Sequence, residues 1–194
     1  MIGYFRRIAC AVLAAGTLIA ASCAVRAQPD TQTINYHGVA FPAAFAGGTR
    51  ISTRDYEPTH PGLGFSAGYR HRGAISTVFI YDAKVSSIPD DIRSPVVIQQ
   101  FEQAKGDIRQ GQPEGAILNS KGVFAIADAS GRARLTCEGF NLRRSSADQP
   151  VDTYLCLGAV NKKFFKVRTT MPQGENSQRE VRRFIGAWVA KIWN

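Results

Sequence analysis

Cys137 and Cys156 constrain this chain more than any other pair of residues. Each lies in a run rich in β-branched, aromatic and aliphatic side chains, 133–142 and 151–160, and the polar segment 143–150 stands between the runs. Such runs read as strands, and a short connection of Ser, Asp, Gln and Pro reads as a hairpin loop. The loop is centred between Ser146 and Ala147, so residues whose numbers sum to 293 face each other across the hairpin. Cys137 and Cys156 meet that condition. Directly opposed Cβ atoms can come close enough for a disulfide, chiefly at non-hydrogen-bonded pairs.

Whether the pair is oxidised depends on compartment. Arg6 and Arg7 precede the uncharged apolar run 8–21, and Val25-Arg26-Ala27 places small residues three and one positions before Gln28. This is the layout of a secretory signal peptide covering 1–27, and the run is short for a membrane span. Two other export readings stay open: Ala20-Ala21-Ser22-Cys23 loosely resembles a lipoprotein box that would retain a lipid on Cys23, and the arginine pair hints at twin-arginine export. Four cysteines are encoded, and Cys10 and Cys23 fall before the expected cleavage point. An even pair in a periplasmic or secreted domain favours a disulfide.

Residues 28–194 suit one domain with its own core. The full chain carries 24 basic and 15 acidic residues; without Arg6, Arg7 and Arg26, 21 basic residues remain against 15 acidic. Outside the cytoplasm that excess points to an anionic envelope component, a lipid head group or a wall polymer, rather than to nucleic acid. Charge for solubility is the plain alternative. No second apolar run is long enough to span a bilayer.

Segment 34–41 reads as a first strand, and 63–69 and 75–81 as a hairpin turning at Arg72-Gly73. Segment 86–93 reads as a loop. Ser94 and Pro95 are suited to open a helix, Val97, Phe101, Ala104 and Ile108 fall on one face of it, and Gly111 can end it. Strands follow at 123–127, 133–142, 151–160 and 164–171, with short connections that argue for an antiparallel meander. The last helix is marked by a capping box, Ser177 to Glu180, and by the stripe Val181, Phe184, Ile185, Trp188 and Ile192. Trp193 falls nearer the arginine side of that helix and is expected to be exposed. The fold class expected is therefore α+β: an antiparallel sheet covered by two helices, with one cross-strand disulfide.

Chemistry is harder to find. Cys137 lacks a helix start or a neighbouring base that would make it a nucleophile. Two cysteines without a CxxC and the scattered His37, His60 and His71 make a poor zinc set. Asp90-Asp91 reads better as charge placed near a helix start than as a metal pair, and Asp128-Ala-Ser130-Gly131 is too short for a calcium loop. No catalytic residue, metal site or cofactor is expected. The candidate anion-binding residues are Arg70, His71 and Arg72 at the hairpin turn, Arg143, Arg144, Lys162 and Lys163 at other tips, and Arg179, Arg182 and Arg183 on the last helix. Spacing does not tell whether these lie together.

Asp55-Tyr56-Glu57, Pro61-Gly62-Leu63-Gly64, Tyr69, the run 77–82, Ile88-Pro89-Asp90 and the run 165–172 together resemble a family of uncharacterised exported bacterial proteins. The element order also resembles the PsbP-like α/β sandwich. The resemblance implies an envelope protein and carries over no active-site residue. Three roles follow as expectations. The first is a non-enzymatic binding or assembly module whose partner is an envelope protein or anionic component. The second is a small periplasmic hydrolase, if Tyr69, Arg70 and His71 converge in a pocket with a carboxylate. The third is an anionic-lipid or wall-polymer binder using a basic patch.

Overall fold

The computed structural model describes residues 32–193; the expected signal peptide, Cys10 and Cys23 lie outside them. The elements run β1 (Ile34–Tyr36), β2 (Val39–Phe41), β3 (Ala44–Phe45), β4 (Gly48–Asp55), β5 (Phe65–His71), β6 (Ala74–Tyr81), α1 (Pro95–Gln110), β7 (Ile117–Ala127), β8 (Ala133–Arg143), β9 (Val151–Val160), β10 (Lys163–Pro172) and α2 (Ser177–Trp193). β1 and β2 form a separate ribbon. The other eight strands form one sheet in the order β3-β4-β5-β6-β10-β9-β8-β7, antiparallel throughout. Two sequential meanders, β3 to β6 and β7 to β10, are joined where β6 pairs with β10.

The α+β class, the antiparallel sheet and its two helices are as the sequence implies. So is the staple: Cys137 pairs with Cys156 in the β8–β9 ladder, the disulfide is formed, and the Cα atoms are 4.0 Å apart. Helix α1 also follows its signals. The Ser94 hydroxyl accepts from the Val97 N–H, Pro95 opens the helix, and the Gly111 N–H donates to the Asp107 carbonyl.

Alternation along each strand sends successive side chains to opposite faces of the sheet. Leu155, Leu157 and Ala159 of β9 meet Val97, Phe101, Ala104 and Ile108 of α1. Tyr154 and Cys156 face the other way and join Val181, Phe184, Ile185, Trp188 and Val189 of α2. The β1–β2 ribbon extends cover on the α2 side. Phe41 lies 5.6 Å from Trp188 and 5.1 Å from Phe65, ring centre to ring centre. The α2 face is thus covered across its width. On the other face α1 stands over β8, β9 and the adjoining ends of β6 and β10, and among the described residues no helix or ribbon covers β4, β5 and the rest of β6 and β10.

Four sequence expectations need correction. Segment 34–41 is two strands, because His37 and Gly38 take positive φ (47° and 79°) and turn the chain. The strand expected at 63–69 starts two residues later: Gly62 and Gly64 N–H groups donate to the Glu57 carboxylate, and Gly64 sits at φ +63° against the Ile80 backbone. β7 begins at Ile117 and continues past a bulge at Gly122. The capping box does not form. The Ser177 hydroxyl turns inward to Asp152 and Tyr154, and Glu180 pairs with Arg72 and Arg183.

Candidate functional site

The residues proposed from sequence do not form one patch. Tyr69 and His71 point to the α2 face and are buried, whereas Arg70 points to the opposite face and is exposed. The Tyr69 hydroxyl donates to the Pro42 carbonyl. The His71 ring stacks on Phe184 at 3.9 Å, and its Nε2 lies 2.8 Å from Ser76 Oγ, which is 2.6 Å from Thr169 Oγ1. Burial holds the His71 pKa below its ordinary value, against the pull of Glu180. A neutral histidine sealed under a helix is not a surface anion ligand, and the convergence on which a hydrolase would rest is not formed.

The tips separate as well. Strand directions place Arg72, Arg143 and Arg144 at one end of the sheet and Lys162 and Lys163 at the other. Several of these cations are already engaged. Arg72 and Arg183 pair with Glu180, Lys163 with Asp82, and Arg182 lies over the Phe124 ring and donates to the Ala125 carbonyl. Arg179 is exposed on α2. Asp90 is a structural acceptor for Arg134 and for the Trp193 indole N–H; Trp193 packs edge-on against Phe165 and is half-buried, not the exposed residue expected.

A different set of cations comes together on the open half of the α1 face. The registers align Arg54, Ser66, Phe79 and Lys166 in one row across β4, β5, β6 and β10. Ser52, Gly68, Thr77 and Arg168 form the next row, and Thr49, Arg70, Ile75 and Thr170 the one after. Arg54 and Arg70 are exposed; Lys166 and Arg168 are half-buried. Among the described residues none of these four makes an ion pair. Elsewhere half-buried cations have carboxylate partners: Lys105 with Glu138, Lys163 with Asp82, Arg134 with Asp128.

Lys166 is held mainly by aromatic rings. Its Nζ is 4.5 Å from the centre of Phe79 and 5.0 Å from that of Tyr81. Burial pushes its pKa below the usual lysine range, outweighing attraction from Asp107, and the Arg168 charge pushes the same way. Arg144 acts on Arg168 with like charge, which brings one sequence-proposed tip residue to the border of this face. Arg70 is the other proposed residue found on it. The arrangement offers cations, hydroxyls and aromatic surface on one face.

Charge clusters at turns do not single out Lys166 and Arg168. The signal was in β10: Lys166, Arg168 and Thr170 alternate with Phe165, Val167, Thr169 and Met171, so one side of a well-covered strand is polar and basic. Arg54 had no such signal, since β4 itself was not expected.

No family model and no curated protein matches the chain. The fold is similar to that of the cyanobacterial PsbP protein CyanoP from Synechocystis sp. PCC 6803, with a TM-score of 0.45 and 12% identity over 78% of this chain and 96% of that one. It is also similar to the Saccharomyces cerevisiae Ran-binding protein Mog1p, with a TM-score of 0.40 and 8% identity over 83% of this chain and 90% of that one. No helix among the described residues is long and apolar enough to cross a membrane.

Proposed function

We propose that this protein is an exported, non-enzymatic binding module of the cell envelope, and that the open half of its α1 face holds an anionic envelope component. One observation carries the reading: Arg54, Arg70, Lys166 and Arg168 share an uncovered face without a carboxylate partner among the described residues. Cations left unpaired and half-desolvated weaken a fold, and a ligand of opposite charge offsets that cost. The excess of basic over acidic residues after the signal peptide agrees in sign.

The test is binding of residues 28–194 to phosphatidylglycerol vesicles and to soluble poly(glycerol phosphate), with phosphatidylcholine vesicles as the neutral control. Binding to at least one anionic probe is expected, weakening as salt rises. The R70A/R168A variant is expected to bind about thirtyfold more weakly, at roughly 1 kcal/mol for each cation removed. R182A/R183A is expected to stay within about twofold of the native chain, because those arginines are spent on Ala125, Phe124 and Glu180. Binding that ignores salt and the R70A/R168A change contradicts the proposal.

A further inference from the structure

Two hollows flank Lys166 along the edge of α1. The larger, about 290 Å³, is lined by Tyr56, Leu63, Phe79, Tyr81, Gln100 and Lys166 among others. The smaller, about 110 Å³, is lined by Phe79, Asp107, Ile108, Leu155, Lys166 and Arg168 among others. Both touch Phe79, Asp107 and Lys166, so the lysine stands at their junction. The larger hollow also shares Leu63 and Ala83 with a third, of about 460 Å³, beside the 59–63 loop. Through these shared residues they line up as an elongated groove, cationic at the Arg168 end and of mixed lining toward Leu63, where Pro61, Leu63 and Ala83 stand beside Thr59, His60 and Lys84. The larger hollow alone reaches the lower end of small-molecule sites, roughly 300–1,000 Å³.

Three features of this groove bear on its occupant. The Lys166 ammonium rests on two aromatic rings, with no carboxylate at ion-pair distance among the described residues. The Tyr81 hydroxyl is buried without a hydrogen bond of standard geometry, Gln100 being the polar side chain that reaches it. Leu63 is 49% exposed at the end away from Arg168. Buried charges are ordinarily paired, so an ammonium without a carboxylate at ion-pair distance, next to exposed apolar surface, marks a place where an anionic ligand completes the contacts.

We infer that the groove binds a linear alkyl carboxylate, its head group on Lys166 and Arg168 and its chain along Phe79, Tyr81 and Leu63. The inference rests on reading the open face as an anion site and narrows it to one ligand class. Charge selects the head group: two cations against Asp107 leave one net positive charge, the complement of a monoanion. A phosphate monoester, near −2 at neutral pH, would meet Asp107 with its second charge. Shape selects the body: the groove is long, open at its flank, and lined by aliphatic and aromatic carbon along Phe79, Tyr81 and Leu63.

The experiment is calorimetric titration of residues 28–194 with decanoate, decyl phosphate and decanol, each below its self-association concentration. Decanoate is expected to bind, with decyl phosphate weaker and decanol at least about tenfold weaker, a single lost charge-assisted contact. K166M keeps the aliphatic stem and is expected to weaken decanoate about tenfold or more. L63S, which removes apolar surface at a site already open to water, is expected to weaken it severalfold. Decanol binding as tightly as decanoate, decyl phosphate binding more tightly, or indifference to K166M would each overturn the inference. If decanoate fails while phosphatidylglycerol vesicles or poly(glycerol phosphate) still bind through Arg70 and Arg168, only this inference falls. If decanoate and both anionic probes fail, the anion-binding reading of the face falls with it.

Discussion

Replacing Cys137 and Cys156 together by alanine is expected to lower the unfolding free energy by about 3 kcal/mol. The bridge closes a loop of sequence separation 19, and holding that loop shut removes conformations from the unfolded chain. Both residues are fully buried against the α2 face, where Leu135, Tyr154, Phe165 and Val167 are their companions in the core. The alanines therefore also leave unfilled volume, and the effect should not fall below the loop term. Urea unfolding of the native and double-alanine chains at neutral pH measures it. Reduction of the native chain by excess dithiothreitol should move the midpoint in the same direction. A difference under about 1 kcal/mol would mean that the β8–β9 register is held by packing alone.

Asp152→Ala is expected to cost a similar amount, about 3 kcal/mol, at the end of the sheet where α2 begins. The Asp152 side chain is 0% exposed, and Lys121 Nζ lies 2.7 Å from its Oδ2. The Ser177 hydroxyl donates to the same oxygen and lies 2.7 Å from the Tyr154 hydroxyl; Asn141 donates to Oδ1. Removing the carboxylate leaves buried hydroxyls short of an acceptor and frees the first turn of α2 from the sheet. Lys121→Met is expected to cost a comparable amount, about 3 kcal/mol, because it leaves the fully buried Asp152 carboxylate without its cation. Burial raises the Asp152 pKa, but Lys121, Ser177 and Asn141 outweigh it and the net shift is downward. The unfolded chain therefore takes up this proton first as pH falls. The contribution is complete above the ordinary aspartate pKa, about 3.9, and drains away as pH drops through the lower folded value. Asp152→Asn should remove that part of the acid limb, which a pH series of urea midpoints would register.

These two sites also mark what a sequence can and cannot disclose. The disulfide was legible because the β8–β9 loop is short and sits midway between the cysteines, which makes opposition a matter of counting. Helices α1 and α2 were legible from the spacing of Val97, Phe101, Ala104 and Ile108 and from the stripe that runs from Val181 to Ile192. The Asp152 network was not, since it joins β7, β8, β9 and α2 through residues that look like ordinary strand and cap positions. Ser177 was read as a cap because its local pattern fits one; a buried carboxylate from another strand competes for the same hydroxyl and wins. β4 escaped because Gly48–Asp55 lies beside the uncovered half of the sheet and carries little apolar pattern. For the same reason the cationic face escaped: Arg54, Arg70, Lys166 and Arg168 become neighbours only once β4 pairs with β5 and β6 with β10.

The most direct test of the account is a methyl-detected NMR titration of residues 28–194 with dihexanoyl phosphatidylglycerol. Ile75 is 47% exposed on the open face, between Arg70 and Thr170, whereas Val181 and Val189 of α2 are sealed against the sheet and Val123 is 63% exposed on the far edge strand. Saturable shifts are expected at Ile75 and should vanish in R70A/R168A, with Val123, Val181 and Val189 unmoved. Shifts confined to Val123 or to the arginine side of α2, or the same response in the variant, would contradict anion binding at this face.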